Sequence, residues 1–136
     1  MCIRDRHIAV GLFMSSFQEI LEIANNLVPR ISPNEAKAKQ DTGALIIDIR
    51  EREEINTSGM VKGAYHIPRG LLEFQTTLVN PNGLKGFSPE TTIILYCASG
   101  GRAALAGKSL KDMGFDKVFN LGGLKDWIDK GLPIEK

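Results

Sequence analysis

Short apolar runs divide this chain into regular segments. The segments 44–49 (ALIIDI), 91–97 (TTIILYC) and 117–121 (KVFNL) are mostly apolar and too short to be typical helices. Such runs indicate strands that are buried on both faces, as in a parallel sheet. The pattern predicts a further short strand at 64–68 (AYHIP), which a proline stops.

Apolar residues at helical spacing fill the stretches between these runs. The first predicted helix covers SSFQEILEIANNLVP, with Ser15 or Ser16 as cap, Glu19 completing a capping box and Pro29 at the end. Further helical segments are predicted from Ser32-Pro33 onward, at REREEI, in part of 71–87, at RAALAGKSLKDMG, and after a glycine turn at 122–123. The alternation predicts an α/β fold: a central parallel sheet of four to five strands flanked by helices, with an extra N-terminal helix.

The length and net charge of the chain argue against several classes of function. A chain of 136 residues suffices for one domain with a core. The formal net charge of +1 gives no electrostatic case for nucleic acid or an anionic membrane as partner. No run approaches 18 apolar residues, so no transmembrane helix is predicted.

The first 13 residues have the marks of foreign sequence. MCIRDR back-translates to a sequencing-library adapter, so we treat 1–13 as adapter or translated upstream sequence, or a disordered tail, with Met14 as the start. The competing interpretation is a signal peptide, but its apolar stretch is short and no A-x-A site follows. We therefore expect a cytoplasmic protein, and a periplasmic location stays open because the native N-terminus is uncertain.

Without that segment, Cys97 is the one cysteine and His66 the one histidine. This count excludes an intramolecular disulfide framework and a zinc site built from cysteines and histidines. A lone thiol also fits a reducing compartment better than an oxidising one.

Cys97 lies where a predicted strand ends and a predicted helix begins, in the sequence CASGGR. Gly100 and Gly101 let the backbone turn tightly, and the helix beginning near Arg102 adds free N–H groups. These donors and the arginine charge favour a thiolate over a thiol and would also attract an incoming anion. The competing interpretation is that Cys97 is only a small buried apolar residue.

Two phosphate-binding motifs are similar to this loop, but neither matches its residue spacing. A P-loop requires four residues between its glycines, whereas GRAALAGKS has five between Gly101 and Gly107. The loop of low-molecular-weight and tyrosine phosphatases is C-x-x-x-x-x-R, and this loop is one residue shorter. A shorter loop makes a smaller bowl, better suited to one sulfur atom than to a phosphoryl group.

Four motifs in order resemble those of the rhodanese domain, a sulfurtransferase family, of the single-domain bacterial type. They are LIIDIREREEI, GMVKGAYHIPRG, YCASGGRA and GFDKVFNLGGLKDWIDKGLPIEK. Two positions depart from the family pattern, with Met60 in place of histidine and Lys62 in place of proline. We expect the rhodanese-like domain to cover 31–136 and a helical extension to cover 14–30.

The resemblance implies a sulfurtransferase that carries sulfur as a persulfide on Cys97. The donor would be a small anion such as thiosulfate or another persulfide, and the acceptor a thiol, which could belong to a protein. The sulfur-holding loop would comprise Ala98, Ser99, Gly100, Gly101 and Arg102. No metal or organic cofactor is implied. The alternative is a persulfide-carrying module that docks a protein partner through residues 71–87 and turns over little free thiosulfate.

Other residues carry weaker expectations. Asp48 and Arg50 could face the site, but an ion pair bracing the first loop is favoured. Arg69 could steer an anionic donor, with a solvated arginine as the favoured alternative. His66 is disfavoured as a general base. We expect Trp127 to be core, and core is also favoured over a docking patch for Leu71, Leu72 and Phe74.

Overall fold

A computed structural model describes residues 16–77 and 87–136. Six α-helices lie in these ranges: α1 (Phe17–Leu27), α2 (Pro33–Asp41), α3 (Arg52–Ser58), α4 (Leu72–Thr76), α5 (Gly101–Asp112) and α6 (Leu124–Asp129). The strands are β1 (Leu45–Asp48), β2 (Met60–Val61), β3 (Tyr65–His66), β4 (Ile93–Cys97), β5 (Val118–Gly123) and β6 (Ile134–Glu135). A 3₁₀ turn, Arg69–Leu71, precedes α4.

The main sheet confirms the predicted fold class. Its four strands run parallel in the order β3-β1-β4-β5, with helices around them. The carboxyl ends of all four strands therefore meet at one edge, which is where ligands bind in such sheets. The predicted N-terminal helix is also present as α1, and Ser16 and Glu19 form the predicted capping box.

The two faces of the sheet bury two apolar layers. Alternation along β4 sends Ile93, Leu95 and Cys97 to one face, and Ile94 and Tyr96 to the other. The first layer includes Val28, next to α1, and Leu110 of α5; the second includes Trp127, which is fully buried, as expected. The Cys97 side chain thus lies on the face that α1 and α5 cover.

The structure differs from the sequence prediction in three places. Gly122 and Gly123, predicted as a turn, belong to β5, because the partner strand β4 continues beside them as far as Cys97. The helical turn expected at REREEI is a complete helix, α3. A small antiparallel sheet of β2 and β6 was not anticipated, since two-residue strands carry no periodic pattern.

Some predictions fall outside the described residues. They concern the segment 1–13, the cap at Ser15 and the turn at 81–83 within 71–87. In the ranges that are described, the helices are too short or too polar to cross a membrane.

Candidate active site

Cys97 ends β4 and is almost fully buried, with 1% of its surface exposed. The chain then turns over the sulfur and enters α5 through Gly100, whose φ of +102° is in the region that favours glycine. This turn directs the Gly100 N–H at Cys97 Sγ, with 3.1 Å between nitrogen and sulfur. The sulfur therefore has a backbone donor supplied by the glycine that the sequence singled out.

Arg102, in the first turn of α5, supplies the positive charge of the loop. Its guanidinium donates two hydrogen bonds to the Glu54 carboxylate, at 2.9 and 2.8 Å. The hydrogen bonds from Arg102 are the main reason that the pKa of Glu54 falls to about 2. In turn, Glu54 and, to a smaller extent, Cys97 raise the pKa of Arg102. Glu54 thus ties α3 to the loop and holds the guanidinium beside the sulfur.

Asn120 of β5 links the loop to its own strand through two hydrogen bonds. Its Nδ2 donates to the Gly100 carbonyl at 2.9 Å, and its Oδ1 accepts from the Gly122 N–H at 2.8 Å. The side chain is fully buried. Sequence reasoning missed this residue, although a polar amide inside the apolar run KVFNL was a usable signal.

Gly123 lets the loop approach β5 closely. A Cβ at this position would lie 2.1 Å from the Ala98 carbonyl oxygen. The family motif contained this glycine, but the contact that requires it is visible only in the fold. Ala98 and Ser99 themselves are exposed, whereas Gly100 is buried.

Arg30 also contacts the loop, and sequence reasoning missed it too. Its Nη2 donates to the Ser99 carbonyl at 3.1 Å, and the guanidinium lies against Gly100 and Gly122. Residue 30 pairs with Asn120 in an isolated parallel bridge, which places it beside β5. No local pattern could show this, because Arg30 lies between two helices and about 70 residues from the loop.

Asp48 and Arg50 face each other in a buried ion pair, with Arg50 Nη2 2.8 Å from Asp48 Oδ2. Arg50 also donates to the Ser58 hydroxyl at 2.8 Å and to the Gly59 carbonyl at 2.6 Å. Burial, followed by the charge of Asp48, raises the pKa of neighbouring Tyr96. These contacts fit the bracing interpretation, in which the pair holds the chain from β1 through the end of α3.

Arg69 and His66 have polar contacts outside the loop. Arg69 Nη1 lies 2.9 Å from both carboxylate oxygens of Glu73, which also accepts from the Ser109 hydroxyl at 2.6 Å. His66 Nε2 lies 2.7 Å from the Arg50 carbonyl oxygen. Both residues lie on the β3 side of the sheet, whereas the loop follows β4.

The expectation that three apolar side chains near α4 belong to the core is confirmed for one of them and wrong for two. Leu72 is buried, as a core residue should be, but Leu71 and Phe74 are 49% and 66% exposed. Core burial was wrong for these two because Leu71 ends the 3₁₀ turn and Phe74 lies on a helix of five residues, and only one side of so short a segment faces the core. Gly107 lies inside α5 against Val28, so it is unavailable for wrapping a phosphate.

Comparison with known proteins identifies the family of this chain. The sequence profile of the rhodanese-like domain family matches residues 32–130. A Bacillus subtilis protein proposed to be a sulfur carrier is 34% identical over 106 residues, or 76% of this chain and 52% of that protein. The chain therefore spans about half the length of this relative.

Two solved structures are similar over nearly all of the chain. One is a protein of unknown function from Rhodopseudomonas palustris, for which tyrosine phosphatase activity has been suggested; its TM-score is 0.79 at 33% identity, covering 90% of this chain and 96% of that one. The other is the polysulfide-sulfur transferase homodimer of Wolinella succinogenes, with a TM-score of 0.69 at 29% identity, covering 97% and 93%. With the profile match spanning most of its residues, this chain belongs to the rhodanese-like domain family.

Proposed function

We propose that the protein is a sulfurtransferase that moves a sulfane sulfur from an anionic donor such as thiosulfate to a thiol acceptor through a persulfide on Cys97. The observation that carries the proposal is the hydrogen bond from the Gly100 N–H to Cys97 Sγ at 3.1 Å, in a loop that Arg102 also flanks. A backbone donor and a fixed cation at one sulfur favour its anionic form. We therefore propose that Cys97 attacks the donor without a separate general base.

The proposed reaction consists of two displacements. The Cys97 thiolate attacks the outer sulfur of thiosulfate, the sulfur–sulfur bond of the donor breaks, and sulfite leaves with the bonding electron pair. The thiolate of the acceptor then attacks the terminal sulfur of the Cys97 persulfide. The acceptor leaves as its own persulfide and Cys97 is a thiolate again, so no external oxidant or reductant is needed.

The loop would stabilise negative charge at every stage. The sulfur is anionic as the resting thiolate and again as the terminal sulfur of the persulfide. N–H groups from Ala98 to Arg102 form the sulfur-holding loop of the proposal, of which the Gly100 N–H already donates to Cys97. Donors that are in place before the charge develops need no reorganisation during the reaction.

Relatives support the class of reaction. One similar structure is named a polysulfide-sulfur transferase, and one relative is a proposed sulfur carrier. We extend this by proposing thiosulfate or a persulfide as the donor and a small or protein thiol as the acceptor. Because Cys97 must stay reduced between turnovers, we place the protein in the cytoplasm.

Steady-state kinetics test the proposal. Initial rates are measured with thiosulfate as donor and cyanide as acceptor, each varied at several fixed concentrations of the other. A covalent sulfur intermediate predicts parallel double-reciprocal lines and complete loss of activity in Cys97→Ser. Intersecting lines, or activity that survives in Cys97→Ser, would contradict it.

The exposed side chains of Leu71 and Phe74 favour a second candidate, in which the domain carries a persulfide for a docked protein. Apolar surface of this kind suits a protein acceptor better than a small one. The remainder of 71–87, residues 78–86, lies outside the described residues. Rapid turnover with small donors and acceptors would count against this candidate.

A phosphatase is disfavoured, although such activity has been suggested for the Rhodopseudomonas palustris protein. Four residues separate Cys97 from Arg102 here, one fewer than in the phosphatase loop. Hydrolysis of an aryl phosphate that disappears in Cys97→Ser would revive that activity for this chain.

A further inference from the structure

One peptide group connects Arg30 to the sulfur of Cys97. The carbonyl of Ser99 accepts from Arg30 Nη2 at 3.1 Å, and the N–H of the same peptide, on Gly100, donates to Cys97 Sγ at 3.1 Å. The C=O and N–H of a trans peptide point in opposite directions in one plane. A cation at the oxygen end therefore strengthens the donor at the nitrogen end, because hydrogen bonds in a chain polarise one another.

The position of Arg30 is fixed by its backbone. The Asn120 N–H donates to the Pro29 carbonyl at 2.9 Å, and the Ile31 N–H donates to the Asn120 carbonyl at 3.1 Å. The segment 29–31 thus pairs with the middle of β5, next to the amide that holds the Gly100 carbonyl. Two adjacent carbonyls of the loop are in this way held from outside, one by Arg30 and one by Asn120.

Arg30 differs from the other arginines near this edge of the sheet in its ion pairing. Arg102, Arg50 and Arg69 each form an ion pair, with Glu54, Asp48 and Glu73 respectively. Within residues 16–77 and 87–136, no carboxylate lies within 4 Å of the Arg30 guanidinium. Asp126 also lies on this side: a Cβ on Gly122 would be 2.9 Å from Arg30 Nη1 and 3.6 Å from Asp126 Oδ2, so the carboxylate is close to the guanidinium without forming an ion pair with it.

We infer that Arg30 is a positioning residue of the sulfur-holding loop: through the Ser99–Gly100 peptide it fixes the donor to Cys97, and its unpaired charge favours anionic reagents at the sulfur. Its residue number lies just outside the part of the chain that matches the family profile, 32–130. If the protein transfers sulfur as proposed, Arg30 gives the reaction a preference for anionic donors, and this part of the inference rests on the proposed function.

Alkylation of Cys97 tests the inference without any sulfur chemistry. Rates are followed by intact mass with neutral iodoacetamide and with anionic iodoacetate, for the parent protein, Arg30→Met and Arg30→Gln. The matched control is Lys117→Met, which removes one exposed cation beside the opposite end of β5. Iodoacetamide rates are also measured from pH 5 to 10.

In Arg30→Met we expect the iodoacetate-to-iodoacetamide rate ratio to fall about threefold and the midpoint of the pH profile to rise by about half a unit. Arg30→Gln keeps a neutral donor to Ser99 and should restore part of the midpoint but not the ratio. Lys117→Met should match the parent in both.

A folded Arg30→Met protein with the parent's ratio and midpoint would overturn the inference. If Arg30→Met does not fold, Arg30→Gln decides through the ratio alone. The two proposals fail separately: a parent protein that transfers no sulfur refutes the function, whereas unchanged alkylation of the Arg30 variants refutes the role of Arg30.

Discussion

At the scale of the residue, the site depends on a few side chains that hold the loop rather than on many that face a substrate. Cys97 Sγ accepts a hydrogen bond from the Gly100 N–H. Asn120 donates to the carbonyl of Gly100, and the Arg30 guanidinium lies against the same residue. Glu54 holds the Arg102 guanidinium in place through two hydrogen bonds. The chemistry of one sulfur atom is thus set by contacts from β5, α3 and the segment before α2.

Replacing Glu54 with glutamine should remove a pH-dependent contribution to stability. Because the pKa of Glu54 is lowered to about 2, its ionised form is stabilised by folding. The contribution is present above the carboxyl's unfolded pKa of about 4.3 and is lost as the pH falls toward about 2. Both partners are about one-third exposed; we therefore expect less than about 1 kcal/mol.

Urea unfolding of the parent protein and Glu54→Gln at several pH values measures this contribution. The difference in unfolding free energy should be constant between pH 5 and 7 and shrink below about pH 4.3. A difference that stays constant down to pH 2.5 would show that the Glu54–Arg102 pair does not contribute in the way described.

The two loop glycines should respond differently to alanine. Gly100 has φ of +102°, and a Cβ there would lie 2.2 Å from Arg30 Nη2, whereas a Cβ on Gly101 would meet nothing within 4 Å. We expect Gly100→Ala to cost about 1–2 kcal/mol in unfolding free energy and to slow sulfur transfer. Gly101→Ala, the matched control, should change stability by less than about 0.5 kcal/mol. Equal effects of the two substitutions would argue against the loop conformation.

The sequence placed the CASGGR loop between a strand and a helix, as the structure has it, but did not indicate the residues that hold the loop. CASGGR could be recognised because a strand end, two glycines and a helix start lie within six residues. Arg30 and Glu54 reach the loop from 69 and 48 residues away, and no local pattern encodes such contacts. The exposure of Leu71 and Phe74 was missed for the related reason that a 3₁₀ turn and a helix of five residues have no clear periodicity.

At the scale of the element, the position of the loop depends on the packing of α5 and α1 on the sheet. Helix α5 begins at the loop and lies on the sheet face that contains Cys97, and α1 packs against α5. Gly107 makes the close approach between these helices feasible, because it faces Val28 just beyond the end of α1. The sequence predicted both helices from their caps and spacing, but the contact between them needed the fold.

Substitution of Gly107 by alanine should therefore destabilise the protein despite alanine's better helix propensity. Its Cβ would lie 2.8 Å from both Cγ atoms of Val28. We expect overpacking to cost about 2–3 kcal/mol, more than the gain of about 1 kcal/mol in helix propensity, so that the protein loses about 1–2 kcal/mol in unfolding free energy.

A double-mutant cycle with Val28→Ala isolates that contact. The combined variant should be more stable than the sum of the two single effects predicts, since the smaller side chain makes room for the new methyl group. Strict additivity in urea unfolding would contradict the packing of α1 on α5 through these residues.

At the scale of the whole molecule, a parallel α/β sheet brings the strand ends to one edge and places the thiol of Cys97 there. The parallel sheet and the helices that flank it followed from the alternation of apolar runs and helical segments, which is why the fold class could be predicted, whereas the strand order became visible only in the structure. The small β2–β6 sheet could not, because its pairing joins two-residue segments more than 70 residues apart. The segment before α2 belongs with the site as well, since it carries Arg30.

The central claim is that Cys97 carries sulfur covalently. The purified protein and Cys97→Ser are incubated with thiosulfate and weighed intact by mass spectrometry. We expect a gain of one sulfur, about 32 Da, in the parent protein, its removal by cyanide or dithiothreitol, and no gain in Cys97→Ser. No adduct on the parent protein with thiosulfate or with a persulfide donor, or an adduct that survives in Cys97→Ser, would contradict it.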